Sequence, residues 1–271
     1  MYYSKTPLTL DHAASLAPSI LAQDHHASRS KQYSYIPTVT ILQGLLNEGF
    51  NIHGVTEANT RNLSKKGFQK HLIRMRQPEF ANSEESPEIV LINSHDGSCS
   101  YQLLTGVIRF ACANGLIVGD TLEAIKVKHK GDITNNVIDA TYEVVKDFSQ
   151  VSDLIQEMKA IELKPEEQTQ LARAAMPLRF EKTEDWKDCP ITENQVLMPR
   201  RQDDNKNDLW TVFNKIQENL IRGGQRGLTT DKNNRRRFTR TREVKGIDQN
   251  VKLNKALWTL TQGMMELKKA A

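Results

Sequence analysis

The chain has 271 residues, of which 38% are hydrophobic and 26% are charged, and its formal net charge is +4. This composition is typical of a globular protein and excludes membrane-spanning classes, because no window approaches the ~18 apolar residues of a membrane span. The chain shows no secretory signal, and its three cysteines are widely spaced, without a metal-binding motif. We therefore expect a cytoplasmic protein that needs no cofactor.

The first half of the chain alternates helices with strands. A helix is expected over residues 10–16, and a second from Thr38 to about Glu48, with Thr38 as its N-cap and Gly49 at its end. Strand-like runs follow at 50–54, 71–76, 88–92 and 99–104. Asp96-Gly97 lies between the last two runs and predicts a hairpin turn.

The pattern changes period after that hairpin. Residues 105–113 predict a short helix that carries Arg109, and Asn114-Gly115 then reads as a cap or turn. Residues 122–128 predict another strand. Two interpretations of Arg109 stay open, because its side chain could pair with a carboxylate in the structure or contact a phosphate.

The second half is mainly helical. Helices are expected over 133–161 (either continuous or broken near Ser149), from Pro165 to Pro177, and over 208–221 and 251–267. Residues 181–201 read as an irregular linker. We therefore predict one α+β domain over 1–271. Its strand-rich part (34–130) forms a small antiparallel sheet that packs with helices from both halves, and its helical part (131–271) contains a flexible basic loop over 222–245.

Charge is concentrated in that loop. Residues 222–245 contain nine basic side chains and two acids, which gives +7 and leaves −3 for the rest of the chain. A second basic run, 61–76, contains six basic residues and no acid. Localised charge of this kind indicates a polyanionic partner.

The basic loop is the strongest functional signal. Arginine matches phosphate oxygens with a planar fork, and an aromatic ring among arginines can stack on an unpaired base. We predict that nucleic acid is held by Arg235, Arg236, Arg237, Phe238, Arg240 and Arg242, assisted by Arg74 and Arg76. A solvated loop and a patch for an acidic protein remain the alternatives.

Two further motifs carry polar residues. His95 and Asp96, next to Gly97, could form a metal-dependent nuclease site with Glu88, but turn chemistry explains Asp-Gly without catalysis. The helix end formed by Gln217, Glu218 and Asn219, followed by Gly223 and Gly224, is not a phosphate loop, because its glycines come after the helix. The roles of these residues and of Asn114-Gly115, as surface sites or as structural joints, stay open.

Several motifs together resemble a known group. They lie at 35–38, 87–97, 109–116, 129–131, 197–201, 207–210, 217–219, 223–224 and 253–258. The chain is similar, over about 18–267, to a domain-of-unknown-function family carried by phages and conjugative plasmids of enterobacteria.

The resemblance implies a mobile-element context and brings no catalytic residues. We expect a protein that binds single-stranded DNA during transfer, recombination or repair, and homo-oligomers are plausible for such a role. An anti-defence protein that binds a host protein is the alternative, and a metal-dependent nuclease is a weaker one.

Overall fold

The computed structural model describes residues 2–30, 33, 35–80, 84–110, 114–117, 133–180, 189–230 and 235–270. The chain divides into two compact units, Met1–Val151 and Ser152–Ala271. Strands dominate the first unit and helices the second, so the predicted α+β class is confirmed. The single domain expected over 1–271 stays a prediction.

The first unit is built on a six-stranded antiparallel sheet in which each strand pairs with the next along the chain. Its strands are β1 (Tyr2–Leu8), β2 (Asn51–Glu57), β3 (His71–Arg76), β4 (Glu85–Asn93), β5 (Gln102–Arg109) and β6 (Asn114–Ile117). The predicted hairpin at Asp96-Gly97 is confirmed as the connection between β4 and β5. The edge strand β1 was not predicted.

One face of this sheet carries the apolar core. Ile73, Leu91 and Leu103 stand side by side on neighbouring strands, because the register places Ile73 opposite Leu91 and Leu91 opposite Leu103. Three helices contribute to the same core, namely α1 (Leu10–Leu16), α2 (Thr38–Asn47) and the first half of α3 (Ile133–Ala160). All three were predicted, and α3 runs unbroken past Ser149.

The other face of the central strands is also buried. Arg74 on β3 donates hydrogen bonds to the carbonyl oxygens of Gly115 and Leu116 on β6, each at 3.2 Å. Its guanidinium also lies 5.5 Å from the ring centroid of Tyr3 on β1. The sheet therefore curls, so that both edge strands approach the same buried arginine.

The helix predicted over 105–113 is wrong. β5 continues to Arg109, and β6 begins at Asn114. Thr105, Val107 and Ile108 are all buried, so the strand has no solvent face and shows no alternation between apolar and polar residues. The strand expected over 122–128 lies outside the described residues.

Thr38 is not the N-cap of α2. Pro37 takes that position, and Thr38 is the first helical residue. Its hydroxyl lies 2.9 Å from His71 Nε2 and accepts a hydrogen bond from Asn93 at 2.9 Å. Thr38 thus ties the start of α2 to the sheet.

The second unit packs around α6 (Leu209–Arg222), which is buried from Leu209 to Ile221. It also contains α4 (Pro165–Arg179), α5 (Glu193–Val196) and α7 (Ile247–Ala270). The aromatic ring of Phe213 on α6 lies 6.1 Å from that of Trp258 on α7. α4 continues two residues past Pro177, and α5 lies within the expected linker.

The flexible basic loop predicted over 222–245 is wrong as well. Two strands, β7 (Arg226–Thr230) and β8 (Arg236–Arg240), form an antiparallel hairpin there. Their side chains are exposed or half-buried, so the pattern of a buried face that signals a strand is missing. Among the described helices, none has the length and apolarity to cross a membrane.

Candidate nucleic-acid interface

The β7–β8 hairpin grows directly from the end of α6. Gly223 and Gly224 both have positive φ, +62° and +88°, which turns the chain out of the helix. A Cβ on Gly223 would lie 2.7 Å from the carbonyl oxygen of Arg242, so only glycine fits this approach. The amide of Gly224 donates to the carbonyl of Thr241 at 2.8 Å and closes the base of the hairpin.

The polar residues just before this turn are buried. Glu218 accepts two hydrogen bonds from Arg201, at 2.6 and 2.7 Å. Asn219 accepts one from Arg200 at 2.8 Å, and Gln217 donates to Asn254 on α7 at 2.7 Å. The motif 217–219 therefore has the arrangement of a structural joint that fixes the origin of the hairpin.

A second segment supports the hairpin along β7. The amide of Leu228 donates to the carbonyl of Pro190 at 3.0 Å, and Gln195 donates to the carbonyl of Arg226 at 2.7 Å. A Cβ on Gly227 would overlap the same Pro190 carbonyl, so this glycine permits the close approach. The hairpin is thus held at its base and along one edge.

The register of the hairpin creates three layers on one face. Arg226 lies opposite Arg240, Leu228 opposite Phe238, and Thr230 opposite Arg236. Successive side chains of a strand alternate between faces, so these six residues share a face. Phe238 is 90% exposed and Leu228 is 43% exposed, so an apolar layer lies open between two arginine layers.

The electrostatics of this face are unfavourable for the protein alone. Like charges directly opposite each other on two strands destabilise the pair, and Arg226 and Arg240 are both exposed. Within the described ranges, neither arginine has an ion-pair partner, and the same holds for Arg236 and Arg242. Arg235 and Arg237 are exposed too. Arg226, Arg236 and Arg240 therefore present positive charge that has no ion-pair partner among the described residues.

A groove of about 1350 Å³ lies along the hairpin. The strand residues line it together with Cys189, Pro190, Ile191, Thr192 and Gln195. Partial burial raises the pKa of the Cys189 thiol, which disfavours its nucleophilic thiolate form. The groove is suited to binding and offers no activated nucleophile among its lining residues.

Arg74 and Arg76 do not belong to this interface. We predicted that they assist with phosphate, but both are buried in the first unit and pair with Glu88, at 2.7 and 2.6 Å. Arg76 also stacks its guanidinium 4.9 Å from the ring of Phe110. Glu88 on the neighbouring strand β4 neutralises their charge, so both arginines are part of the buried interior of the sheet.

The basic run 61–76 is divided by the fold in the same way. Arg61 and Lys66 are exposed, whereas Lys70 is buried. Lys65 is half-exposed and pairs with Asp96 at 3.2 Å. The run is therefore not one basic surface.

The residues of the β4–β5 turn are held in place by neighbours. His95 Nε2 lies 3.3 Å from the Thr38 hydroxyl, and burial lowers the pKa of His95 to about 4. Asp96 accepts from the amide of Ser98 at 2.9 Å, and Gly97 has φ +74° beneath the side chain of Arg29. This is the geometry of a fixed turn.

That geometry does not support the nuclease alternative. Both carboxylate oxygens of Glu88 bind arginines, and Asp96 binds Lys65. Across the part of the chain that is described, no group of three or more histidine, cysteine or carboxylate side chains could hold a metal ion.

Arg109 and the Asn114-Gly115 pair lie at the last strand pairing of the sheet. Arg109 is 5% exposed and opposes Asn114. A Cβ on Gly115 would overlap the Tyr3 hydroxyl and lie 2.5 Å from the Arg74 guanidinium carbon. Gly115 therefore allows close packing around Arg74, and Arg109 is not an exposed phosphate ligand.

Sequence reasoning missed three residues of the hairpin face, Arg226, Leu228 and Thr230. The signal was the alternation in Arg226, Leu228 and Thr230, which matches Arg236, Phe238 and Arg240 on the other strand. Both triplets have the period of two that a strand requires.

Comparisons with known proteins agree on a family. The model of a domain of unknown function, DUF932, matches residues 25–258. Two Escherichia coli (strain K12) proteins, the UPF0380 proteins YfjQ and YafZ, are each 41% identical to the chain over 259 residues, which covers 96% of this chain and 92% of theirs. No solved structure matches the chain.

Proposed function

The chain belongs to the DUF932 family, and we propose that it binds single-stranded DNA through the β7–β8 hairpin. The process would be transfer, recombination or repair of the DNA of a mobile element. The observation that carries this proposal is the exposed Arg226–Arg240 pair, which lies next to an exposed aromatic side chain.

The proposal rests first on charge. Two arginines that face each other without an acid repel, and a phosphate between them turns that repulsion into attraction. Each neutralised phosphate also releases condensed counterions, which adds a favourable term at low salt. Arg236 and Arg242 are exposed as well and add to the positive charge of this segment.

It rests second on how the hairpin is built. Gly223 and Gly224 project it from α6, and the Pro190 carbonyl fixes β7. A positioned hairpin loses less conformational entropy on binding than a free basic loop does. The exposed arginines are therefore arranged before the ligand arrives.

Fluorescence anisotropy with a labelled oligothymidine tests the proposal. We expect binding that weakens as the salt concentration rises. The slope of log affinity against log salt concentration should be about −0.7 per phosphate neutralised. The triple variant Arg236→Ala/Arg240→Ala/Arg242→Ala should lose most of it. A matched control, Lys5→Ala/Lys146→Ala/Lys252→Ala, removes the same charge from exposed positions elsewhere and should bind almost like the wild type.

Three outcomes would contradict the proposal. The first is the absence of binding to DNA at low salt, and the second is an equal loss in the control variant. The third is tighter binding to an oligouridine RNA of the same length. With the first outcome, a stoichiometric complex with a host protein in a pull-down would favour the anti-defence alternative.

A further inference from the structure

We infer that the face formed by Arg226, Leu228, Thr230, Arg236, Phe238 and Arg240 is a layered site for a short unpaired stretch of DNA. In this site the Arg226–Arg240 layer holds one phosphate. The Leu228–Phe238 layer stacks a base, and Arg236 holds a second phosphate further along the strand. This inference rests on the proposed function and assigns Arg226 and Leu228 to the site.

The spacing of the layers supports this order. Residues two apart on a strand are separated by about 7 Å, so the three layers span about 14 Å. That length suits roughly three to four nucleotides, at the low end of the sites used by single-strand-binding folds. The apolar layer lies in the middle, where a base between two phosphates would lie.

Exposure identifies the stacking residue. Phe238 is 90% exposed, although removal of an aromatic side chain from water lowers the free energy. Leu228 lies directly opposite and widens the apolar surface that a base could cover. A duplex keeps its bases stacked inside, so this layer can contact bases only when the strand is unpaired.

The chemistry therefore separates two contributions to affinity. The arginine layers contact phosphates, which single-stranded and duplex DNA both present. The Phe238 layer contacts bases, which only an unpaired strand offers. Removing either layer should change the preference for single strands in a different way.

The test uses the full chain, an oligothymidine of about twelve nucleotides and a duplex of the same length. Phe238→Ala should lower the affinity for the single strand between about fivefold and 150-fold and change that for the duplex less than about twofold. Phe238→Trp should bind the single strand about as tightly as the wild type, unlike Phe238→Ala. The fluorescence of the introduced tryptophan should be quenched when the single strand binds. Arg226→Ala/Arg240→Ala should lower the affinity for both the single strand and the duplex. It should also reduce the slope of log affinity against log salt concentration by about 0.7 or more.

Circular dichroism checks that each variant keeps its fold. We expect that it does, because the substituted side chains are exposed. The layered site is overturned if Phe238→Ala leaves the affinity for the single strand unchanged, or if it lowers the affinities for the single strand and the duplex equally. It is also overturned if wild-type protein binds the duplex as tightly as the single strand. Wild-type protein that binds neither ligand would instead overturn the proposed function itself.

Discussion

Arginines on strands have opposite environments in the two units. In the first unit, Arg74 and Arg76 on β3 are 0% and 2% exposed. In the second, Arg236 and Arg240 on β8 are exposed to solvent. Both pairs come from basic stretches that look alike in sequence.

The neighbouring strand explains the difference. β3 lies beside β4, whose Glu88 binds both buried arginines, whereas β8 lies beside β7, whose Arg226 faces Arg240. A buried charge persists only when it is paired, and an uncompensated charge stays in water. The meaning of a basic strand is therefore set by the residue across from it.

Removing the buried counter-charge should have the largest effect on stability. Glu88→Gln leaves two buried arginines without a carboxylate and should cost about 3–5 kcal/mol in free energy of unfolding. Urea unfolding followed by circular dichroism measures it. Glu143→Gln is the matched control, since its pair with Lys146 is 59–69% exposed and should contribute less than about 0.5 kcal/mol. Equal effects in the two variants would contradict the comparison.

Acid should act on the interior of the first unit. Burial lowers the pKa of His71 to about 3 and that of His95 to about 4, so both rings are neutral when folded. In the unfolded chain both rings take up protons below the ordinary histidine pKa of 6.5, so stability is full above that pH and falls towards pH 4.

We expect a loss of about 4 kcal/mol between pH 7 and pH 5, because each of the two histidines contributes about 1.4 kcal/mol per pH unit over the roughly 1.5 units below 6.5. Urea titrations at several pH values measure the slope. His95→Gln should reduce it, whereas His12→Gln, at an exposed position on α1, should leave it unchanged. A slope that is the same in the wild type and in His95→Gln would refute the assignment.

The base of the hairpin should show an intermediate effect. Gly223→Ala places a Cβ 2.7 Å from the Arg242 carbonyl oxygen at a positive φ, and should destabilise the protein by about 1–3 kcal/mol. Gly224→Ala is the control, because its φ is also positive but nothing lies within 4 Å of the added Cβ. Thermal unfolding should therefore show the larger decrease in Tm for Gly223→Ala.

Changing the exposed arginine layer should have the smallest effect on stability. Arg226→Ala removes a repulsion across the hairpin and should change the free energy of unfolding by about +0.2 to +1 kcal/mol, in the stabilising direction. The same variant should bind oligothymidine more weakly. A variant that lost both stability and binding would mean that Arg226 supports the fold, contrary to its exposure.

Much of the fold followed from the sequence wherever an element has one buried face. α1, α2 and α3 have that pattern, and Asp96-Gly97 marked its hairpin through turn chemistry alone. The part of β5 from Thr105 to Arg109 did not follow, because it is buried on both faces and loses the alternation of a strand. β7 and β8 did not follow for the opposite reason, since neither has a buried face.

The candidate site was predicted in part. The arginines and Phe238 on β8 were identified from composition, and the structure places them on one exposed hairpin. Arg74 and Arg76 were assigned to the wrong environment, because the sequence does not state that Glu88 is their neighbour. Only the pairing of β3 with β4 brings Arg74 and Arg76, which lie fourteen and twelve positions before Glu88, into ion pairs with it.

The exposure of the hairpin also bears on how such a protein can evolve. Leu228 and Phe238 are exposed, so their replacement perturbs no core packing. If the hairpin binds DNA as proposed, selection on substitutions there acts through binding, while selection on substitutions around Arg74 acts through folding. A lineage can therefore change its ligand preference through Leu228 or Phe238 without a compensating mutation in the core.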